Sequence, residues 1–466
     1  MDSFYLPDIF DGHYETSAAV LNGGIEVSSH ILKPSFFETG LAAFYESAFK
    51  ILESYKIKDI IDELDGVSRL FLDEKNASRK SAIEAISAVT GFSRESVALS
   101  IDLEFSSSLK PQMTAALKNE FGSVEILDDF VYDAGNDRYS RALPAGPVFA
   151  VSSSNIPALP HLSVMRAFLT KNPAVVKTSF AEPVFMPLYM RAFKDAGSLL
   201  AQCAAVVCYK SSGNIELTEK FIDSSNITIA YGGLDAEKYF AGRVRYPKKL
   251  IMHPHRLGFG LIGEGFTAGK SSSELYELAA AVARDVVTFD QRACLAPHVY
   301  FYCVKNNVPA EVFIKHIIAA FEAFEKEIPP AALSDTENYS RRNFIDSMNF
   351  EKGVRDIFET AGGKSAVIDI KPSKFPLSPL NRVLFLAGYE EPGEVAAILK
   401  TVKNYTQNAA LCVLKDDEAL WFDILSRLGV SRICRAGEMP APTMLWRHDG
   451  IGALIEMTRF CDIEKY

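Results

Sequence analysis

The feature that most constrains the fold is an alternation that begins near residue 145. Short runs rich in β-branched and apolar residues recur at Pro147–Val151, Ala174–Lys177, Ala204–Tyr209, Ile227–Ala230 and Lys249–His253. The stretches between them are long enough for helices. Pro183–Ala196, for example, is opened by Glu182-Pro183, which puts proline where a first helical turn accepts it. Strands alternating with helices build right-handed βαβ units and hence a parallel sheet, and ligands on such sheets bind at the carboxyl ends of the strands. A dinucleotide is the expected ligand of this half.

Residues 35 to 130 read as mainly helical, with apolar positions at helical intervals from Leu41-Ala42-Ala43-Phe44-Tyr45 through Ile60-Ile61. A second α/β block follows the first. Ser271-Ser272-Ser273-Glu274 supplies hydroxyl caps for a helix to about Val287, Phe289–Cys294 forms a turn, and Val299–Val304 is a strand. Helices at about 309–326, 391–403 and 416–428 and a strand at 410–414 complete it. Gly437–Tyr466 mixes Pro, Gly and Trp and reads as a connecting tail.

Composition narrows the function. At 466 residues two or three domains are expected, and 48% hydrophobic with 23% charged residues is ordinary for a globular chain. A net charge of −10 argues against a nucleic-acid partner, since neutralising phosphates needs a basic surface. The opening Met1-Asp2-Ser3-Phe4-Tyr5 lacks the cationic and apolar runs of a secretory signal, and no apolar run is long enough for a membrane span. Seven scattered cysteines, an odd number, read as reduced thiols, so a cytoplasmic location is expected. No Cys or His cluster has zinc spacing, and no metal is expected.

Three motif-like strings do not hold up. Gly258-x-Gly260-x-x-Gly263 matches a dinucleotide fingerprint by letters, but Glu264–Gly269 cannot open an apolar helix directly. The two Gly-Lys-Ser triplets at 269–271 and 363–365 lack the phosphate-loop glycine, with Glu264 and Phe358 in its place. There is no G-x-S-x-G elbow, which disfavours a serine hydrolase.

Two segments carry chemistry. One runs from Pro144 through Ser152-Ser153-Ser154-Asn155-Ile156-Pro157 to Val176-Lys177-Thr178-Ser179; the other is Gln291-Arg292-Ala293-Cys294-Leu295-Ala296-Pro297. Together they resemble the aldehyde dehydrogenase superfamily. There a strand ends in Asn-x-Pro, a second strand ends in Lys, and a Gln-x-x-Cys follows well over a hundred residues later. Ser378-Pro379-Leu380-Asn381-Arg382 and the Arg-Ala-Cys context are most similar to the LuxC-type long-chain fatty-acyl-CoA reductases. The superfamily likeness runs from about 140 to 460, and the helical first third matches only the narrower family.

The resemblance implies an aldehyde-dehydrogenase-like α/β fold: two Rossmann-like α/β domains with parallel sheets, a helical N-terminal region and an oligomerisation tail. Residues 1–130 would be the mainly helical start of the cofactor-binding domain and 131–259 its NAD(P)-binding α/β part. Residues 260–436 would form the catalytic domain with the nucleophilic cysteine, and 437–466 a tail for homo-oligomer assembly. It implies Cys294 as nucleophile and Asn155 as oxyanion donor. Ser153, Lys177, Ser179 and the Gly232-Gly233 turn would bind cofactor. Phe180 stands where NAD-preferring members have a ribose-binding Glu, so NADPH is expected, with NADH as the alternative. His253 stands roughly where hydrolytic members carry their general base, so its implied role is to take the Cys294 proton or to assist collapse of the alkoxide. An acyl group on the thiol would then escape hydrolysis and be reduced.

The implied reaction is NADPH-dependent reduction of a fatty acyl-CoA, or of an acyl group donated by a protein, to the aldehyde, with an acyl-protein synthetase as a partner by analogy. The rivals are a CoA-independent aldehyde dehydrogenase and a non-catalytic scaffold.

Residue chemistry supports the assignment of Cys294 independently. A thiolate is the soft nucleophile an acyl thioester needs, and Cys294 lies in a turn, whereas Cys203, Cys208, Cys303 and Cys412 sit in apolar runs that suit core packing. Bland alternatives stand beside each role. Asn155 could cap a helix, Lys177 could be an exposed strand-end lysine, and His253 with His255 could merely hydrogen-bond in a turn.

Overall fold

Apolar residues at three- and four-residue spacing make the first third helical. In the computed structural model, which describes residues 1–21 and 24–464, an antiparallel pair β1 (Tyr14–Val20) and β2 (Glu26–Leu32) precedes α1 (Leu41–Ser54), α2 (Ile57–Leu72), α3 (Ala77–Thr90), α4 (Arg94–Ser106) and α5 (Lys110–Phe121). Helix α2 shows the logic: Ile57, Ile60, Ile61, Leu64, Val67 and Phe71 form one stripe and are all buried. Short strands β3 (Val131–Asp133) and β4 (Arg138–Pro144) follow.

Next come β5 (Val148–Val151), α6 (His161–Leu169), β6 (Ala174–Thr178), α7 (Phe185–Asp195), β7 (Ala204–Cys208), α8 (Ile215–Ser224), β8 (Ile227–Gly232), α9 (Leu234–Arg243) and β9 (Lys249–Pro254). Their sheet has the order β7-β6-β5-β8-β9, with every pairing parallel. The order reverses between β5 and β8, which is the switch point where a crevice opens at the strands' carboxyl ends. Phe71 of α2 stacks on Phe105 of α4 at 4.7 Å, and Phe185 and Tyr189 of α7 pack against the pair.

Glu104, on α4, is buried in this helical layer, and burial pushes its carboxyl up to about 8, opposed by the Arg166 charge. In the unfolded chain a Glu titrates near ~4.3. The folded state therefore holds the proton more tightly, and the associated stability is present below about pH 4 and lost as pH rises through 8. Glu104→Gln is expected to raise the thermal midpoint at pH 8, where the wild-type carboxyl must give up its proton in the unfolded chain, and to leave it unchanged at pH 4. Thermal melts at the two pH values check this.

The second unit joins Gly91–Ser96 to His255–Pro442, and the first comprises Met1–Thr90, Val97–Pro254 and Thr443–Tyr466. The second unit contains β10 (Leu257–Ile262), α10 (Ser272–Val287), β11 (Pro297–Cys303), α11 (Ala310–Glu327), α12 (Asp335–Met348), β12 (Val354–Glu359), β13 (Ala366–Ile370), β14 (Val383–Tyr389), α13 (Pro392–Lys400), β15 (Thr406–Cys412), α14 (Glu418–Arg427) and β16 (Arg432–Cys434). Its sheet order is β12-β13-β14-β11-β10-β15-β16, parallel except for β12 against β13. Ser271 caps α10 through a reciprocal capping box with Glu274, as the sequence indicates. Residues 255–259, grouped by sequence with the first α/β block, belong here because β10 pairs with β11 and β15.

The glycines of the 258–263 string serve packing. A Cβ on Gly258 would lie 2.5 Å from the Ala296 carbonyl oxygen, and one on Gly260 would overlap the Tyr300 ring. Gly260→Ala is expected to cost about 3 kcal/mol or more, since a packed ring between parallel strands has nowhere to move. Denaturant unfolding tests it, and a loss below 1 kcal/mol would contradict it.

The chain closes in the first unit with β17 (Thr458–Ile463), which pairs antiparallel with β4 in the order β17-β4-β3. Among the described residues no helix is long and apolar enough to cross a membrane.

Candidate active site

In the first unit, residues singled out from the sequence gather at the carboxyl ends of β5, β6, β8 and β9. Asn155 follows β5 in an irregular turn and is partly exposed. The Ser153 hydroxyl donates to Asn155 Oδ1 at 2.6 Å, which orients the amide with Nδ2 as its donor side. Asn155 does not cap α6, whose N-cap is Pro160 with no side-chain bond. The turn is held from below: Ser100 donates to the Pro157 carbonyl at 2.6 Å, and His161 contacts Ala158 O and Ser108 Oγ, each at 2.9 Å. Burial lowers the His161 pKa to about 4, so this ring is neutral at physiological pH.

Lys177, the penultimate residue of β6, is only 4% exposed, so the description as a solvated strand-end lysine does not hold. Its Nζ lies 4.9 Å from the Tyr209 ring centroid, and burial lowers its pKa. Ser179 accepts from the Ala181 N–H, and Phe180 lies under Lys210, whose Nζ is 4.8 Å from the ring centroid. Glu182 is turned away into α7, where one carboxylate oxygen accepts from the Val184 and Phe185 N–H groups, both at 2.9 Å. Gly232 ends β8 and Gly233 is the N-cap of α9.

His253 lies inside β9 and not in a turn. Its Nδ1 is 2.9 Å from Asp449 Oδ2, and its ring stacks with Tyr231 at 4.6 Å and His448 at 4.1 Å. Asp449 and His448, in the stretch read as a connecting tail, carried no sequence signal.

In the second unit, Cys294 lies in the turn before β11, at the amino end of that strand, and is half-buried. None of the seven cysteines is in a disulfide. Cys203, Cys208, Cys303 and Cys412 are buried, as their apolar runs suggest, and burial pushes Cys203 and Cys412 up to about 12.

The Cys294 turn is built by two segments that interlock. Phe289, Asp290 and Gln291 have φ of 56°, 50° and 64°, and Leu380, Asn381 and Arg382 have φ of 66°, 53° and 63°. Six non-glycine residues in the left-handed region are unfavourable unless surrounding contacts impose them. Here they do. Arg382 Nε donates to Asp290 Oδ1 at 2.6 Å, with both side chains at most 2% exposed. Arg382 also donates to the Ile328 carbonyl at 2.8 Å, and Asp290 accepts from the Ala331 N–H at 3.0 Å. Gln291 Nε2 donates to the Pro297 and Val383 carbonyls, while its Oε1 accepts from the Val383 N–H. Arg292 donates to Asn381 Oδ1 at 3.1 Å, and Asn408 of β15 donates to the Leu295 carbonyl at 3.0 Å. The residues on both sides of the thiol are thereby pinned. Sequence singled out both strings; their mutual bonding appears only in three dimensions.

These two sheets and their connections have the aldehyde dehydrogenase fold. The chain superposes on aldehyde dehydrogenase C from Pseudomonas syringae, solved with NAD+ and octanal, with a TM-score of 0.70 and 14% identity, covering 99% of this chain and 96% of that one. It superposes equally on the NADP-dependent glyceraldehyde-3-phosphate dehydrogenase of Bacillus halodurans C-125 (TM-score 0.70, 13% identity, 99% of each chain). Within that fold, residues 52–460 match the acyl-CoA reductase (LuxC) family, and the chain belongs to it. Relatives include the long-chain acyl-protein thioester reductases of Aliivibrio fischeri (22% identical, 88% of this chain and 82% of the relative) and Photorhabdus luminescens (23%, with the same coverage).

Proposed function

We propose that this protein reduces a long-chain fatty acyl thioester to the fatty aldehyde, with Cys294 carrying the acyl group. The observation that carries the reading is a half-exposed thiol in a rigidly braced turn, within a chain that matches the LuxC family over most of its length. Relatives named for acyl-protein thioesters favour an acyl-protein donor beside acyl-CoA. By the same analogy, an acyl-protein synthetase would be the partner that supplies it.

The Cys294 thiolate attacks the acyl carbonyl, a new S–C bond forms, and the donor leaves as a thiolate. Asn155 Nδ2 and the Cys294 backbone N–H take the donor roles at the oxyanion. NADPH, when bound, supplies the hydride that converts the protein thioester to a thiohemiacetal. Collapse of that species in its alkoxide form, the direct product of hydride addition, breaks the S–C bond, releases the aldehyde and restores the thiolate.

The residues of the first unit fit a nicotinamide dinucleotide. Lys177, Ser179 and the Gly232-Gly233 turn stand at the carboxyl ends of parallel strands, and Ser153 braces Asn155. With Glu182 committed to α7 and lysines at 177 and 210, the β6–β7 edge favours a 2′-phosphate. Phe180→Glu is expected to raise the KM for NADPH at least ~10-fold and leave that for NADH nearly unchanged; steady-state kinetics with both cofactors decide.

The exposed edge of β17 supports assembly as a homo-oligomer, which sedimentation would measure. The decisive experiment for the reaction is mass spectrometry after exposure to a labelled long-chain acyl-CoA without reductant. A thioester adduct on the Cys294 peptide is expected; an adduct elsewhere, or none, overturns the reading.

A further inference from the structure

We propose that Tyr209 is a positioning residue that holds the Lys177 ammonium for the 2′-phosphate of the cofactor, and so sets a preference for NADPH. The inference rests on the cofactor reading above and adds a residue that no motif singled out.

Tyr209 follows directly on β7, the neighbour of β6 in the sheet. Lys177 pairs with Val207 across these two strands, two residues before the ring. The Lys177 Nζ lies 4.9 Å from the Tyr209 ring centroid. The lysine is buried, and among the described residues no oxygen lies within hydrogen-bonding reach of its Nζ. A buried ammonium with no acceptor is costly, and the negative face of an aromatic ring offsets part of that cost. A carboxylate in the ring's place would neutralise the charge and occupy the N–H groups. The ring holds the ammonium and leaves its three donors for an oxygen that arrives with a ligand. A phosphate dianion gains more from that site than a neutral ribose hydroxyl does, because its attraction to the ammonium grows with its charge.

Helix α8 fixes the ring. The Thr218 hydroxyl donates to the Asn214 carbonyl at 3.2 Å. That uses its one hydrogen, so Tyr209 is the donor in the 3.1 Å bond between the two hydroxyls. Phe221 of the same helix lies nearly parallel to the ring, with centroids 6.2 Å apart and an interplanar angle of 11°.

A second pair runs the opposite way between the same strand ends. Lys210 lies over Phe180, with Nζ 4.8 Å from the ring centroid. Each strand end thus lends one cation and one ring. Among the described residues neither lysine is paired with a carboxylate. Two uncompensated cations therefore stand at the carboxyl ends of adjacent parallel strands, where dinucleotides bind. Lys210 is exposed; Lys177 is the one whose place the ring imposes.

The test measures binding of adenosine 2′,5′-bisphosphate and adenosine 5′-monophosphate to the full chain by titration calorimetry, which needs no turnover. Tyr209→Leu should weaken the bisphosphate about 10-fold and the monophosphate less than ~3-fold. Tyr209→Phe, which keeps the ring, should restore most of the lost affinity. Because the ring acts through the lysine, adding Tyr209→Leu to Lys177→Met should cause no loss beyond that of Lys177→Met alone. Thr218→Val serves where Tyr209→Leu is not recovered folded, with an expected loss of ~3-fold confined to the bisphosphate.

Equal losses for the two nucleotides, additive losses in the double variant, or a wild-type chain that holds both nucleotides equally overturns this inference and leaves thioester reduction standing. Wild-type protein that binds neither nucleotide overturns the cofactor reading as well.

Discussion

Replacing Cys294 with alanine is expected to lower thioester reduction by at least ~10⁴-fold, because the segment from Phe289 to Pro297 holds no second thiol. The half-buried sulfur is flanked by backbone groups bonded through Asn408 and Gln291, and those bonds do not involve the side chain at 294. The fold should therefore tolerate the change, with a stability loss of no more than about 1–2 kcal/mol. Activity, acyl adduct and thermal midpoint measured on one preparation separate the outcomes. A variant that keeps more than a few per cent of the reductase rate would exclude Cys294 as the acyl carrier. Retained folding with lost chemistry also separates an enzyme from a scaffold, whose function should survive the substitution.

The second large effect is expected at the Asp290–Arg382 pair. Both groups are almost fully removed from water, and a buried ion that loses its partner keeps its desolvation penalty with nothing to offset it. Breaking such a pair typically costs about 3–5 kcal/mol. In a unit of this size that corresponds to a fall of ~10 °C in thermal midpoint. Arg382→Met and Asp290→Asn should each reach this range.

The double variant should be less destabilised than the sum, since neither charge is then stranded. Arg382→Lys should not rescue, because a lysine cannot span Asp290 and the Ile328 carbonyl with the guanidinium's fixed fork. The left-handed residues on both segments would lose the contacts that impose their conformation. Alkylation of Cys294 should change in rate along with stability. A double-mutant coupling near zero would show that the pair does not brace the turn.

The periodicities that made the first α/β block legible are those of a sheet buried on both faces. Continuous runs such as Ala174–Thr178 and Ala204–Cys208 carry their own signal, and the strands appear where those runs lie. Strand β15 begins earlier than its apolar run indicates, because Thr406, Gln407 and Asn408 are polar yet buried. Asn408 braces the Cys294 turn, so its polarity, which hides the strand, has a local structural reason. Ser334 and Glu337 carry the same capping signal as Ser271 and Glu274, and they open α12, which the sequence reading did not assign. In the first unit the candidate residues gather at carboxyl strand ends. The Cys294 turn instead precedes β11, at an amino end.

Consecutive residues were enough to mark the strands of the first α/β block and to carry the resemblance that pointed to the fold family and to Cys294, Asn155 and Lys177 as candidates, because strand runs, turns and short motifs are written locally. Which distant residues hold them was set by folding alone. Asp449 reaches His253 across 196 positions, and Arg382 reaches Asp290 across 92. Partnerships of that kind depend on where strands place their ends in space, and one-dimensional spacing does not encode it.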